Sequence, residues 1–267
     1  MYPVLFQFGP ITIYSFGAFM ALAALAAALV VHRELKRCGY NPELASTIVF
    51  AAAIGGLIGA RILFIFEEWE NFLVAPLRYV FTGAGFTWYG GFFGGIAAVS
   101  WVVKKNNIPW LIAADIAAPA LALAYGVGRL GCHVAGDGDW GTITDVPWGV
   151  AYTNAIVGWA DPNTGTPYPP GVRVHPTPIY EFLAGVIVFA ILWSLRKRNY
   201  VPGTIAWLYL ILSGISRLVV EFWRINPVLA LGLTEAQWFS LALIVLGAFL
   251  LATRRTSTPL QKRVASH

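Results

Sequence analysis

The chain has 267 residues, of which 58% are hydrophobic and 12% charged, and its formal net charge is +5. Soluble domains carry about 25% charged residues, so this composition excludes an ordinary soluble protein and indicates a membrane protein. The positive charge needs no nucleic acid to explain it, because most basic residues cluster between or after the apolar stretches. We therefore expect no nucleic acid partner.

Seven apolar stretches approach the roughly 20 residues needed to cross a bilayer. They cover residues 11–32, 46–66, 86–103, 110–131, 177–195, 202–223 and 236–253. The alternation typical of a membrane barrel is absent, and lipid demands an internally paired backbone, so the spans should be helices. The sequence predicts an all-α polytopic membrane protein with about seven transmembrane helices, built as one integral membrane domain over residues 1–267.

The basic residues predict the orientation of the spans. They follow the first, third, fifth and seventh spans as Arg33, Lys36 and Arg37, Lys104 and Lys105, Arg196, Lys197 and Arg198, and Arg254, Arg255, Lys262 and Arg263. Since cytoplasmic loops are enriched in Lys and Arg, the N terminus is predicted outside and the C terminus in the cytoplasm. The tail STPLQKRVASH is predicted to be disordered.

Two connecting segments are longer than turns, and both are predicted outside. Residues 67–85 indicate an interfacial arm, with aromatic and apolar side chains for the bilayer boundary and charged ones for water. Residues 132–175 are rich in Gly, Pro, Asp and Thr and indicate a small extracytoplasmic cap. Within this cap, WGVAYT at 148–153 has the pattern of a strand.

Several charged residues fall inside the predicted spans, where a charge costs about 2.5–3.5 kcal/mol unless it faces protein or a wet cavity. They are Arg61, Asp115, Arg129, Glu181, Arg217 and Glu221. Arg217, Glu221 and Arg224 are spaced to share one helix face. This face could be a structural ion-pair network. Alternatively, with Arg129, it could be an anion site, since guanidinium groups bind phosphate bidentately and the outer leaflet offers phospholipid head groups. The second interpretation predicts a lipid substrate.

Six motifs follow one another along the predicted spans. They are IYSFG at Tyr14, GARILFIF at Arg61, TWYGG at 87–91, ADIAAP with GRLG at Asp115 and Arg129, HPTPIYE at 175–181, and GISRLVVEFWR at 214–224. In this order they resemble motifs of the prolipoprotein diacylglyceryl transferases, which include WYG, GxRxGYxxF, HGG, HPSQLYE and GxxRFxxEFxR. The resemblance covers nearly the whole chain.

The resemblance implies an enzyme of the bacterial cytoplasmic (inner) membrane, without a cofactor. It would move diacylglycerol from phosphatidylglycerol to the lipobox cysteine in prolipoprotein signal peptides, forming a thioether and releasing glycerol phosphate. Together with the charge chemistry, it gives the candidate catalytic residues Arg129, Arg217, Tyr89, His133 and Asp137. The candidate substrate-binding residues are Tyr14, Arg61, Gly90, Gly91, Gly136, Gly141, His175, Glu181, Glu221 and Arg224.

The chain departs from the family pattern at four positions. The family reads GRxGNFxNGExWG where this chain reads GRLGCHVAGDGDWG, so Cys132 and Ala135 replace asparagines and Asp137 replaces a glutamate. Tyr89 stands at the histidine position of HGG. Asp137 and Glu221 are expected to orient the arginines. The group that accepts the thiol proton stays open among Tyr89, His133 and His175, each of which also has a plausible structural role.

Other functions are possible for the same residues. A phospholipid-binding or lipid-moving membrane protein would also use outer arginines, but it would release no glycerol phosphate, and a paralogue could serve a different acceptor. No metal is expected: the histidines and acids match no HExxH-type spacing, and GDGDWG is far shorter than an EF-hand loop. Glycines such as Gly90 and Gly91 are also typical of close helix packing, the reading we favour.

Overall fold

The computed structural model of the chain describes residues 1–9, 11–81 and 85–253. Its helices in chain order are α1 (Ser15–Arg37), α2 (Leu44–Glu67), α3 (Trp69–Val74), α4 (Pro76–Phe81), α5 (Trp88–Lys105), α6 (Trp110–Ala135), α7 (Thr177–Leu195), α8 (Thr204–Glu221) and α9 (Glu235–Thr253). Two short antiparallel hairpins complete the structure: β1 (Val4–Phe8) with β2 (Ile11–Tyr14), and β3 (Val228–Ala230) with β4 (Leu233–Thr234).

The predicted all-α polytopic membrane protein is confirmed. Among the described residues, six helices are long and apolar enough to cross a membrane: α1, α2, α6, α7, α8 and α9. Helix α5 occupies the predicted third span, but it has only 18 residues, includes two glycine pairs and ends in Lys104 and Lys105. The seventh span and the orientation of the termini therefore stay predictions. The last basic cluster and the C-terminal tail lie outside the described residues.

The start of the first span differs from its prediction. Residues 11–14 were expected to begin a helix, yet they form β2 and pair with β1. Helix α1 begins only at Ser15, whose backbone N–H donates to the Pro3 carbonyl at 2.9 Å. The three consecutive β-branched residues and the tyrosine of ITIY favour a strand, which explains why hydrophobicity alone misplaced this boundary.

The chain divides into two compact units, and Val31–Ala113 is the second of them. In this unit α2 packs against α5 with the backbones in close contact. A Cβ atom on Gly59 would lie 2.3 Å from the Gly90 carbonyl oxygen, and one on Gly94 would lie 2.3 Å from the Gly55 carbonyl oxygen. Only glycines permit this approach, so the structure assigns Gly90 a packing role.

A methyl group added to this contact should destabilise the second unit. We expect Gly59→Ala to lower the free energy of unfolding by at least about 1–3 kcal/mol, because the new Cβ atom overlaps backbone that cannot move aside. Gly56→Ala is the matched control, since its Cβ would meet the Gly91 oxygen at an ordinary 3.5 Å. Thermal unfolding in detergent measures both variants. Equal melting temperatures for the two would contradict the close approach.

The segment predicted as an interfacial arm forms α3 and α4. Exposed apolar side chains at Leu73, Val74 and Leu77 suit a bilayer boundary. The Arg61 guanidinium on α2 donates to the Tyr79 carbonyl oxygen at 3.2 Å and lies 4.3 Å from the centre of the Phe86 ring. Arg61 therefore holds the second half of this segment against α2. Residues 82–84 of the predicted arm lie outside the described part.

The other unit comprises residues 1–30 and the chain from Ala114 onward. Its apolar core lies between α6, α7 and α8, with Ala118, Val188 and Ile205 among the buried residues. Asp115 on α6 is also buried, and its carboxylate accepts the backbone N–H groups of Gly203 at 2.7 Å and Ala206 at 2.8 Å. These are unpaired donors at the start of α8, so Asp115 caps that helix from its neighbour.

The predicted cap, residues 132–175, is largely irregular and has its own aromatic core. Trp140, Tyr152 and Val174 are buried there. The strand predicted at 148–153 is wrong: its only pairing is a single bridge between Val150 and Val174. One turn ends at Gly149, whose backbone N–H donates to the Val146 carbonyl, and another begins at Tyr152, whose carbonyl accepts the Ala155 N–H. Too few residues remain between these turns for a strand. The assignment of residues 132–175 to the outside stays a prediction.

Candidate active site: an arginine and carboxylate network

Charged residues from three helices of the first unit meet at one end of the bundle. Arg129 lies near the end of α6, Glu181 near the start of α7, and Arg217 and Glu221 near the end of α8, with Arg224 just beyond. The five come together because α6 and α8 end where α7 begins. The helical spacing predicted for GISRLVVEFWR thus places its three charged residues in one network.

Glu181 is the centre of this network. Its side chain is only 1% exposed. Oε2 lies 3.1 Å from Arg129 Nε and 3.3 Å from Arg224 Nη1, while Oε1 binds Arg217 Nη1 and accepts the Tyr125 hydroxyl at 2.8 Å. A carboxylate buried this deeply requires such partners, since an unpaired charge would cost several kcal/mol. Glu181 therefore fixes the positions of all three guanidinium groups.

Asp139 is the second carboxylate of the network. It binds Arg129 Nη1 and Arg224 Nη2, and its backbone carbonyl accepts the Thr177 hydroxyl at 2.6 Å. Burial alone would raise the pKa of Asp139, but Arg129 and Arg224 outweigh this effect and lower it. Asp139 is therefore ionised at neutral pH. The sequence analysis expected Asp137 to orient the arginines, whereas the structure gives these contacts to Asp139.

Asp137 has a different environment from Asp139. Its Oδ1 accepts the Asp139 backbone N–H at 3.3 Å, and no ion pair involves it within the described part of the chain. Burial raises the pKa of Asp137 above its usual value. Of the two aspartates of GDGDWG, Asp139 thus pairs with arginines, whereas Asp137 accepts hydrogen bonds from the Asp139 backbone and from the Cys132 side chain.

Glu221 is the third carboxylate, so three acids balance three arginines. Its Oε2 lies 3.0 Å from Arg217 Nη2. The arginine side chains differ in access: Arg129 is 20% exposed, Arg217 24% and Arg224 only 8%. In the described part of the chain, Arg129 Nη2 has no hydrogen-bond partner. Arg129 and Arg217 can therefore reach a ligand, whereas Arg224 mainly supports the network.

The two aspartates should differ in their effect on stability. We expect Asp139→Asn to cost about 1–3 kcal/mol, because two arginines lose a charged partner. Asp137→Asn, the matched control, should cost less than about 1 kcal/mol. The Asp139 pKa is depressed in the folded state, so its contribution is present above the unfolded value of about 3.9 and is lost as pH falls through the folded value.

Melting temperatures of both variants in detergent between pH 3 and 7 measure this difference. The gap between the wild type and Asp139→Asn should narrow toward the acid end, as pH falls below the unfolded pKa of about 3.9. A gap that is independent of pH, or a larger loss for Asp137→Asn, would contradict the assignment.

Two candidate glycines shape the turn that carries Asp139. Gly141 pairs with the backbone beside Arg224, and a Cβ atom there would lie 2.2 Å from the Trp223 carbonyl oxygen. Gly136 has a φ of +65°, and its Cβ would lie 2.7 Å from Ala155 Cα. Both positions thus require glycine for backbone reasons. Their binding of substrate stays a prediction.

The histidines are held by tyrosine hydroxyl groups. His133 Nδ1 lies 2.9 Å from the Tyr152 hydroxyl, and His175 Nδ1 lies 2.9 Å from the Tyr180 hydroxyl. The Tyr180 oxygen also accepts Trp148 Nε1–H at 2.7 Å, so its own hydrogen is directed to His175. Burial lowers the pKa of His175. A neutral imidazole that accepts at Nδ1 carries its proton on Nε2 and is then a donor there, not a base.

The remaining candidates take no part in the ion pairs described above. Tyr14, at the end of β2, is exposed and pairs with Val4. Arg61, Tyr89, Gly90 and Gly91 all belong to the second unit, where Tyr89 is exposed and packs edge-on against Trp88 at 5.2 Å. The structure therefore unites the candidates on α6, α7 and α8, and the roles of those in the second unit stay predictions.

One group of side chains has spacing suited to a metal. The ligand atoms of Cys132, Asp137 and Asp139 all lie within 4.8 Å of one another. However, Arg129 and Arg224 bind the Asp139 carboxylate, and Arg129 Nη1 also lies 3.8 Å from Cys132 Sγ. A cation would have to displace guanidinium groups from two of its three ligands, so the donor set does not fit a metal ion.

The sequence analysis missed three residues of the network. Asp139 was considered only as part of a calcium-like fragment, and Tyr125 and Thr177 were not considered. Tyr125 lies one helical turn before Arg129, and the Arg129 guanidinium lies 5.1 Å from the centre of its ring. The i, i+4 spacing of Tyr125 and Arg129 could have indicated this contact from the sequence. For Thr177, whose contact is to the backbone of a distant loop, no such signal exists.

Together, fold and site define a multi-pass membrane protein with a buried, charge-balanced network that leaves two arginines open to an anionic ligand. The family model described as prolipoprotein diacylglyceryl transferase matches residues 3–253. The chain belongs to this family.

Relatives cover nearly the full length of the chain. A phosphatidylglycerol–prolipoprotein diacylglyceryl transferase of Clostridium tetani is 34% identical over 252 residues, which is 93% of this chain and 96% of the relative. Proteins of the same name from Vibrio cholerae and Nitrosospira multiformis are 33% and 30% identical over 276 residues. These alignments cover 99% and 98% of this chain and 95% and 89% of the relatives, respectively.

Proposed function

We propose that the protein transfers the diacylglyceryl group of phosphatidylglycerol to the lipobox cysteine of prolipoprotein signal peptides in the bacterial inner membrane. The observation that carries this proposal is the pair of partly exposed guanidinium groups, Arg129 and Arg217, held by a shared carboxylate. They suit a phosphate group. The names of the relatives supply the two substrates.

The network lies in the outer half of the membrane in this proposal. Glu181 is near the start of α7, and the basic residues Arg196, Lys197 and Arg198 follow its other end. Along a helix this separation is about 22 Å, most of the thickness of the hydrocarbon core. Since basic clusters favour the cytoplasm, the network and the cap of residues 132–175 face outward. Phosphatidylglycerol and secreted prolipoproteins are both available there.

The reaction proposed is a displacement at carbon. The cysteine thiolate attacks the glycerol carbon that bears the phosphate, a C–S bond forms, the C–O bond breaks, and glycerol phosphate leaves with the electron pair. Negative charge grows on the departing phosphate oxygen, where the N–H groups of Arg129 and Arg217 stabilise it. Because carboxylates already fix these guanidinium groups, little reorganisation is needed when the charge develops.

Removal of either open arginine should abolish most of the activity. With purified protein, phosphatidylglycerol and a fluorescent lipobox peptide, we expect lipidated peptide and released glycerol phosphate in equal amounts. Arg129→Ala and Arg217→Ala should each lose about 100- to 1,000-fold in rate. The matched control is Arg173→Ala, an exposed arginine of the cap with no ion pair in the described part of the chain.

Two other results of this assay would support a different function. Phospholipid binding without glycerol phosphate release would favour a lipid-binding or lipid-moving protein. Release of glycerol phosphate that depends on a nucleophile other than the lipobox peptide would indicate a paralogue with a different acceptor. Full activity in both arginine variants would contradict the role of Arg129 and Arg217 in binding the phosphate.

Asp137 is the proposed acceptor of the thiol proton. Its carboxylate is close to the network but not neutralised by it, and burial raises its pKa toward that of the thiol. His175 is less suited, because the Tyr180 hydroxyl directs its proton to Nε2. His133 Nδ1 is already engaged by the Tyr152 hydroxyl. Tyr89 would need stronger activation to act as a base, because a phenol in water loses its proton only well above neutral pH.

The pH dependence tests this choice. A base works only when deprotonated, so the wild-type kcat/KM should rise with pH through a value above about 3.9, the usual pKa of Asp. Asp137→Asn should lower kcat/KM about 100- to 10,000-fold and remove this limb. His133→Ala and His175→Gln should keep the limb. If Asp137→Asn stays active while a histidine variant loses the limb, that histidine is the base.

A further inference from the structure

The linker between α8 and α9 donates hydrogen bonds to the Glu221 carboxylate, and the proposed reaction assigns no role to this contact. Glu221 Oε1 accepts two hydrogen bonds from this linker, from Asn226 Nδ2 at 2.6 Å and from the Thr234 hydroxyl at 2.7 Å. The β3–β4 hairpin follows Asn226 and ends at Thr234. The other oxygen of Glu221 faces Arg217 at 3.0 Å. Glu221 therefore connects the hairpin to the arginine.

Thr234 is at the same time the N-cap residue of α9. The Gln237 backbone N–H donates to the Thr234 hydroxyl at 3.2 Å, and Gln237 Oε1 accepts the Thr234 backbone N–H at 2.9 Å. This reciprocal pair is a capping box, which the sequence TEAQ encodes. A hydroxyl group has one hydrogen, and the Gln237 N–H already occupies one of its lone pairs. The Thr234 hydrogen is therefore free to point at Glu221, which as a carboxylate can only accept.

We propose that Thr234 is a positioning residue of the transferase: its hydroxyl fixes Glu221, and through Glu221 it fixes Arg217 for the lipid phosphate. The inference rests on the proposed function for the identity of that phosphate. Thr234, Gln237 and Glu221 are all buried, so no water replaces a lost donor at low cost. The N terminus of α9 therefore helps to hold Arg217 in position for the anion.

Three single variants separate positioning from helix capping. Thr234→Val keeps the shape but removes both hydroxyl contacts, and Thr234→Ser restores them. Gln237→Ala breaks the capping box and leaves the bond from Thr234 to Glu221 in place. We expect Thr234→Val to lower kcat/KM about ten- to a hundredfold. Thr234→Ser and Gln237→Ala should stay within about threefold of the wild type, although Gln237→Ala lowers the melting temperature.

The coupling to Arg217 is the decisive readout. In an Arg217→Ala background, Thr234→Val should have little further effect on kcat/KM, because Glu221 then has no open arginine left to position. The same cycle is measured as affinity for phosphatidylglycerol in nanodiscs, which needs no turnover. Equal losses for Thr234→Val and Gln237→Ala, or additive losses in the double variant, would overturn the inference.

The two proposals fail in different ways. A wild-type protein that binds phosphatidylglycerol but transfers nothing would overturn the transferase, and the binding cycle would still decide the role of Thr234. A wild-type protein that neither binds the lipid nor transfers it would overturn both.

Discussion

The buried carboxylate of Glu181 is the contact on which the site depends. It is reached by three guanidinium groups and one phenol, from α6, from α8 and from the segment after α8. Taking Glu181 out of water costs several kcal/mol, which only such close partners offset. The network is therefore weak evidence for extra stability, but removal of one partner leaves a buried charge without compensation. What the arrangement provides is a fixed geometry at the end of the bundle.

This geometry gives the arginines separate roles. Arg224 contacts Glu181 and Asp139 and is almost buried, so it links the cap turn to α7. Arg129 and Arg217 share Glu181 and pair in addition with Asp139 and Glu221, respectively, but they keep part of their surface open. A cluster of three unpaired cations would repel itself and spread apart. Because three carboxylates balance the charges, the two open guanidinium groups can both remain in contact with Glu181.

The sequence predicted the helical class, most of the spans and one face of the network, since hydrophobicity and helical spacing are local properties. Arg217, Glu221 and Arg224 needed only the rule of i, i+4 and i+7. The choice between Asp137 and Asp139 could not be made in this way. Two residues apart in a glycine-rich turn, they differ only in which one the backbone directs toward Arg129. That direction is set by Gly136, Gly141 and the Thr177 contact, which are tertiary features.

Three departures from the family pattern, at Cys132, Ala135 and Asp137, lie close to the network in sequence but form none of its ion pairs. Cys132 and Ala135 are both buried, and the Ala135 carbonyl accepts the backbone N–H of Ile156 in the cap. Neither position supplies a charge to Arg129, Arg217 or Glu181. The charged groups of the network are thus unchanged, while the buried surroundings at Cys132 and Ala135 are less polar than two asparagines would make them. Differences from other members are therefore expected in how the acceptor peptide fits beside the arginines, not in how the phosphate is held.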